Sequence, residues 1–345
     1  MRIAIVTDMI MAVEAVRRVV VNTLGHQLAW IACDGAEAVE RCAADTPDLI
    51  LMDLVMPNMD GVEATRRIMA TNPCPIVVVT ANVTDNSSKV FEAMEAGALD
   101  AVNTPVLESP QAAEGADALR GKIETIRRLL GADRPKRNGD WPEQAGRAAI
   151  QHHDSLVAIG ASAGGPGALA KVLAQLPADF PAAIVIVQHV DAHFAQGLAK
   201  WLDYQTPLSV RLAEEGEHPL AGTVLLAGTD SHLVFASPSR LSYTPYPKDC
   251  SYRPSIDVFF KSIERFCDAT VIGIVLTGMG RDGAEGLRAL RAKGHHTIAQ
   301  DQSSSAVYGM PQAAAQLEAA TEILSLEKIG PRLIDLVSSR TKRHG

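Results

Sequence analysis

Three residues of different chemistry stand at the same kind of place in the chain. Ser162 lies in "LVAIGASAGGPGALAKVL", His189 closes "AIVIVQHV", and Asp282 follows "VIGIVLTGMG" after a glycine turn. Each comes directly after a short apolar run of strand length. A hydroxyl to attack, an imidazole to take its proton and a carboxylate to orient the imidazole are the three parts of a hydrolytic triad. "GASAG" also satisfies G-x-S-x-G, the strand–turn–helix pattern that lifts a serine hydroxyl clear of a sheet. Ala161 and Ala163 leave room beside that hydroxyl, and the helix opened by Pro166 turns backbone N–H groups toward a developing oxyanion.

Other chemistry fits parts of the same pattern. A dinucleotide loop wants G-x-G-x-x-G with an acidic residue about 20 positions on; "GASAGG" lacks the middle glycine, although Asp191 falls near the place for the acid. A P-loop wants Lys followed by Ser or Thr, and that pair is missing. "GMGRDG" reads equally as a phosphate nest, His189 as a satisfied core histidine and Asp282 as a helix N-cap. What favours the triad is the arrival of all three residues at strand ends of one sheet. The order Ser, His, Asp is not the Ser, acid, His of the α/β-hydrolases, which excludes that homology without excluding the chemistry.

Those strand ends need a scaffold of two domains, the natural number for 345 residues. Up to residue 105, "RIAIVT", "QLAWIAC", "DLILMD", "PIVVVT" and "DAVN" read as strands. They alternate with helices at 9–24, "GAEAVERCAA", "GVEATRRIMA" and "SSKVFEAMEAG". From 155, "SLVAIG", "AAIVIVQHV", "TVLLAG", "VIGIVLTGMG" and "HTIAQD" resume the alternation. Helices fall near 166–176, 192–204, 255–267, 282–293 and 309–319, and "HLVFASPSRLSYTP" forms a hairpin turning at Ser-Pro-Ser. The fold class is therefore α/β, two doubly wound parallel-sheet domains, with sites beyond the carboxyl ends of the strands. We place the first domain at 1–108, a helix and flexible linker at 109–153, and the second domain at 154–345. His152 and His153 sit in the polar linker as solvated residues rather than metal ligands.

Composition narrows the partners. With 47% hydrophobic and 21% charged residues and a net charge of −8, the chain reads as globular and mildly acidic, with no basic stripe for nucleic acid. No apolar run approaches the ~20 residues of a membrane helix, so membrane insertion is not expected. "MRIAIVTD" does not read as a signal peptide. Cys33, Cys42, Cys74, Cys250 and Cys267 are scattered without C-x-x-C, as suits reduced thiols in a cytoplasm.

"IGASAGGP", "QH" after a strand, "YRPSIDVFF", "LTGMGRDGA", "TIAQD" and "SAVYGMP" together resemble, in that order, the effector domain of CheB, the chemotaxis protein-glutamate methylesterases. "DLILMDLVMPNMDGVEATRRI" is similar to a response-regulator receiver. The likeness covers about 1–105 and 154–339. It implies hydrolysis of γ-glutamyl methyl esters on the cytoplasmic helices of chemoreceptors, with deamidation of glutamines as a second activity. Under it Ser162 is the nucleophile, His189 the base and later acid, Asp282 the orienting carboxylate and the Met279 backbone N–H an oxyanion donor. No cofactor is implied for the esterase chemistry. Many relatives have Thr after the serine, where this chain has Ala163.

In the receiver the resemblance implies that Asp53 accepts a phosphoryl group from a CheA-type histidine kinase and that Thr80 contacts it. Asp8, Asp53 and the Val55 backbone carbonyl would hold Mg²⁺. Three departures weaken the match: Thr7 stands at a position usually acidic, Thr104 where a Lys is usual, and Ala101 where an aromatic is usual. Thr7 and Thr104 also resemble CheB-like proteins of Wsp-type surface-sensing pathways. The expected protein is thus a phosphorylation-regulated serine esterase acting on methylated receptors. A non-catalytic receptor-binding adaptor, or a nucleotide-binding switch, is the alternative.

Overall fold

The computed structural model describes residues 1–23, 25–83, 86–105, 112–130, 155–250 and 252–341. The linker read at 131–153, with His152 and His153, lies outside them. The chain divides into two units, Met1–Asp133 and Arg134–Gly345.

In the first unit, β1 (Arg2–Val6), β2 (Gln27–Ala32), β3 (Leu49–Met52), β4 (Ile76–Thr80) and β5 (Asp100–Asn103) make a parallel sheet in the order β2-β1-β3-β4-β5. The strands alternate with α1 (Ile10–Val21), α2 (Gly35–Ala44), α3 (Gly61–Thr71), α4 (Ser87–Glu95) and α5 (Ala112–Leu130). Every residue of β3 and β4 is buried, which is why these strands read as unbroken apolar runs rather than alternating ones. The expected boundary at 108 is corrected. Leu119, Ile123 and Ile126 of α5 are buried in the same core as Ile3, Leu49 and Val77, so the helix assigned to the linker belongs to this unit.

In the second unit seven parallel strands run in the order β14-β13-β12-β6-β7-β9-β8. These are β6 (Ser155–Ala161), β7 (Ala182–Gln188), β8 (Ser209–Leu212), β9 (Thr223–Leu226), β12 (Thr270–Val275), β13 (His296–Gln300) and β14 (Glu322–Leu324). Helices α6 (Gly165–Leu173), α7 (Ala192–Gln205), α8 (Ile256–Phe266), α9 (Ala284–Ala292), α10 (Met310–Gln316) and α11 (Leu326–Thr341) accompany them. The hairpin is present as β10 (His232–Ser237) and β11 (Arg240–Thr244), turning at Pro238 and Ser239. Central β6 and β7 are the longest strands, and β6 is buried but for its first residue and β7 throughout.

The chain leaves β6 toward β7 on one side and returns to β12 on the other. The reversal of strand order opens a crevice at the carboxyl ends of β6, β7 and β12. Three elements escaped the sequence reading. Strands β8 and β14 are edge strands of four and three residues, too short to show a period. Helix α11 carries Gly330-Pro331 inside it, a pair that reads as a breaker. The glycine is there for contact: a Cβ on Gly330 would come within 2.6 Å of the Gln175 side chain.

Candidate active site

Ser162 follows β6 and His189 follows β7, and the His189 N–H donates to the Ala161 carbonyl, so the two strand ends are stitched side by side. The Ser162 N–H donates to the Thr277 carbonyl, which ties the serine to the end of β12. Two glycines make that junction possible. Gly164, at φ 72°, adopts the left-handed conformation that turns the chain from strand into α6. A Cβ on Gly278 would lie 2.8 Å from the Ser162 Cβ, so only glycine lets the β12 turn pass the serine. Gln188, 2% exposed, donates to the carbonyls of Ser162 (2.9 Å) and His189 (3.2 Å) and clamps both backbones from within.

His189 Nε2 is 2.9 Å from Asp282 Oδ2. Asp282 also accepts from Ser255 Oγ (2.9 Å) and from the backbone N–H groups of Ile256 (2.7 Å) and Asp257 (3.1 Å). The reading of Asp282 as the N-cap of α9 fails. Gly283 is that cap, and Asp282 turns instead to the N-terminus of α8. Burial pushes the Asp282 carboxyl upward. The hydrogen bond and charge of His189, with the Ile256 and Asp257 N–H groups, outweigh burial and hold it below the usual carboxylate range. An ionised carboxylate only accepts, so His189 Nε2 carries the proton and Nδ1 is left with a lone pair. Nδ1 is buried and has no hydrogen-bond partner. The ring nitrogens are thus used in the opposite sense to the chymotrypsin template, with Nδ1 the basic one.

The Tyr252 ring stacks on His189 at 3.8 Å between centroids and 10° between planes. Ser255, which caps α8, is itself fixed by His232. That fully buried histidine accepts from the Ser255 N–H through Nδ1 and meets the Pro247 carbonyl through Nε2. Burial holds the His232 imidazole below its ordinary value, the neutral form this double role requires. Beyond Gly278, no backbone or side-chain acceptor takes the Met279 N–H among the described residues. The residue stands at the turn whose glycine touches Ser162, the place expected for an oxyanion donor.

The first unit brings a second carboxylate to a sheet edge. Asp53 follows β3 and is 8% exposed; its Oδ2 accepts from Thr7 Oγ1 at 2.8 Å and its Oδ1 from the Val55 N–H at 3.3 Å. Burial pushes its carboxyl up, and the charge of Asp8 adds to the rise; the Thr7, Val55 and Leu54 hydrogen bonds oppose it without cancelling it. The Gly61 of "MDG" is required beside it, because a Cβ there would meet the Asp53 carbonyl oxygen at 1.9 Å. Thr80 is buried at the end of β4, and Asn86 Nδ2 donates to its hydroxyl. Thr7, Thr104 and Asp53 line a small depression together with Val6 and Val79.

Comparison with known proteins matches residues 157–333 to the CheB methylesterase family and residues 3–110 to the response regulator receiver domain. The chain belongs to the CheB methylesterase family. It is 55% identical to a protein-glutamate methylesterase/protein-glutamine glutaminase of Mesorhizobium japonicum over 347 aligned positions, covering 99% of this chain and 100% of that one. It is 57% identical to another so named, from Cupriavidus metallidurans, over 97% of this chain and 98% of the other. The crystal structure of the Thermotoga maritima CheB methylesterase catalytic domain is similar over 53% of this chain and 98% of its own, with a TM-score of 0.51 and 34% identity.

The serine, histidine, aspartates and threonines that the CheB resemblance singled out lie at the carboxyl edge of one of the two sheets or in the turn that follows, whereas Ala101 lies within β5. The residues around them are less legible. Tyr252 and Ser255 lie in the quoted "YRPSIDVFF", but nothing in that string says that one stacks on the imidazole and the other holds the carboxylate. Gln188 and Thr277 adjoin recognised residues. Their buried side-chain hydrogen bonds, Gln188 to Ser162 and Thr277 Oγ1 to the Ala163 carbonyl (2.8 Å), appear only in three dimensions.

Proposed function

We propose that this CheB-family chain hydrolyses γ-glutamyl methyl esters on the cytoplasmic helices of a chemoreceptor, and deamidates glutamines there by the same acyl chemistry. Supporting this reading above all is the His189 imidazole, anchored through Nε2 by a carboxylate that holds four donors, with basic Nδ1 unengaged beside the strand end that carries Ser162. Nδ1 takes the Ser162 proton as Oγ bonds to the ester carbon. The tetrahedral oxyanion is received by the Met279 N–H, and its collapse expels methanol with the proton returned from His189. Water then adds to the acyl-serine with His189 again as base, and release of Ser162 leaves the receptor carboxylate. Asp282 stays ionised throughout and balances the imidazolium.

In the receiver, Asp53 would accept a phosphoryl group from a CheA-type histidine kinase, with Thr80 at its oxygens, and so regulate the esterase. Asp8, Asp53 and the Val55 carbonyl suit Mg²⁺ as a site of one or two carboxylates completed by water, and bound there it would offset phosphoryl charge. With Thr7 for an acid and Thr104 for a Lys, coupling of phosphorylation to the esterase is weak, as in the Wsp-type relatives this chain resembles. The place of action is the cytoplasm, at the receptor rather than in the bilayer. Among the described residues no helix is long and apolar enough to cross a membrane.

The test is methanol release from receptor membranes carrying labelled methyl esters, with and without a small phosphodonor. Ser162→Ala should lose ~10⁴-fold or more in rate while still binding receptor. An adaptor without catalysis would release no methanol with either protein.

A further inference from the structure

Among the described residues, the arginine side chains of this acidic chain are, with two exceptions, spoken for. Carboxylates hold Arg17, Arg66 and Arg332, and carbonyl oxygens hold Arg240 and Arg291. Of the arginine side chains the structure describes, only Arg253 and Arg281 have no ion pair, hydrogen bond or ring contact, and both are exposed. Their positions in the chain are not scattered. Arg281 directly precedes Asp282, and Arg253 directly follows Tyr252, whose ring lies 3.8 Å from that of His189. Consecutive Cα atoms are about 3.8 Å apart, so both guanidinium groups are rooted one residue from the catalytic machinery.

The carboxylates that follow them in the chain are already engaged. Asp282 holds its four donors, Asp257 Oδ1 accepts the Gly286 N–H at 2.7 Å, and Glu285 is paired with Arg288. The two cations therefore face solvent unneutralised, on a chain whose net charge is −8. Unpaired cations at the mouth of a site raise the local potential and favour approach of an anionic partner. Guanidinium groups, with their planar fork of donors, suit carboxylates in particular.

We propose that Arg253 and Arg281 form a receiving rim for an acidic protein segment, engaging carboxylates that flank the reacting ester. This rests on the esterase reading above, and the chemistry of that reaction supplies the anion. Each turnover turns a neutral ester or amide into a carboxylate, so a segment with several sites grows more acidic as it is processed. The rim then holds the enzyme on partly processed substrate. It acts on binding rather than on the bond-making step, because neither guanidinium belongs to the triad.

The test uses the full chain and two fluorescent helical peptides, each with one central glutamyl methyl ester, flanked by glutamates in one and by glutamines in the other. Binding is read by anisotropy at low and high salt, and hydrolysis by methanol release. Arg253→Gln and Arg281→Gln should each weaken the acidic peptide ~3-fold, and the double variant about tenfold, with the neutral peptide unchanged. In hydrolysis the double variant should raise KM for the acidic peptide and keep kcat. High salt should weaken wild-type binding of that peptide and largely spare the double variant. Equal binding of the acidic peptide by wild type and double variant overturns the proposal, as does equal loss on both peptides. So does tighter wild-type binding to phosphatidylserine vesicles than to the acidic peptide, which would make the partner a membrane surface. Charge-dependent binding without methanol release from either peptide or from receptor membranes would instead sink the esterase reading and leave the rim standing.

Discussion

Asp53, buried, and Asp282, part-buried, are both carboxylates beyond the carboxyl edge of a parallel sheet, yet their surroundings drive them in opposite directions. Asp282 accepts from an imidazole, a hydroxyl and the N-terminal N–H groups of α8, and is held below the usual carboxylate range. Asp53 accepts from one hydroxyl and the backbone N–H groups of Leu54 and Val55, lies near the charge of Asp8, and is raised. Burial raises both; what differs is the number and charge of the donors that answer it. Asp282 has donors enough to keep its charge, whereas Asp53 carries a charge that its surroundings answer less fully.

Replacing each carboxylate by its amide breaks the comparison in opposite senses. Asp282→Asn should cause the larger effect, a loss of up to ~10⁴ in kcat for methanol release with the fold retained. An asparagine that keeps its oxygen on the α8 N–H groups turns its NH₂ toward His189 Nε2. It thereby forces the proton onto Nδ1 and removes the base. A kcat within a few-fold of wild type would show that the orienting role lies elsewhere.

Tyr252→Leu tests whether the stacked ring contributes beyond filling space. A phenol face over the imidazole restrains its rotation and favours the imidazolium formed when Ser162 gives up its proton. We expect kcat to fall about tenfold with KM little changed, and Tyr252→Phe to restore most of it. Equal losses in the Leu and Phe variants would assign the effect to the hydroxyl instead.

The smallest effect is thermal. A carboxyl whose folded value lies above its unfolded one favours folding at low pH, and that contribution is lost as pH rises through the folded value. Asp53→Asn carries no such penalty. It should raise the melting temperature of the receiver transition by roughly 2–5 °C at pH 8 and change it little at pH 4. A lower melting temperature at pH 8 would mean that Thr7 and Val55 satisfy the carboxylate better than its burial opposes it.

The sequence was most legible where local pattern and chemistry coincide. Unbroken apolar runs in β3, β4, β6 and β7 announced buried parallel strands, and the residues just past them announced Asp53, Ser162 and His189. Gly164 and Gly278 were visible as glycines, but the collisions they avoid, with Ala306 and with Ser162, involve residues more than a hundred positions away. Helix α5 was legible as a helix and misplaced in the linker, because its partners Ile3, Leu49 and Val77 are strand residues far back in the chain.

By itself, then, the sequence determined the two doubly wound domains, the strand ends that carry chemistry, and the identity of the serine, imidazole and carboxylates. Side-chain period and residue type are local properties, readable one segment at a time. Only the tertiary structure decided which nitrogen of His189 faces Asp282, that Asp282 accepts from the first N–H groups of α8 instead of capping α9, and that Tyr252, Gln188 and His232 pack and bond around these residues. It also decided that Arg253 and Arg281 are left without partners. The contacts among these join segments distant in the chain. Hydrogen-bond direction, ring stacking and charge pairing depend on where the sheet brings those segments together, which residue spacing does not encode.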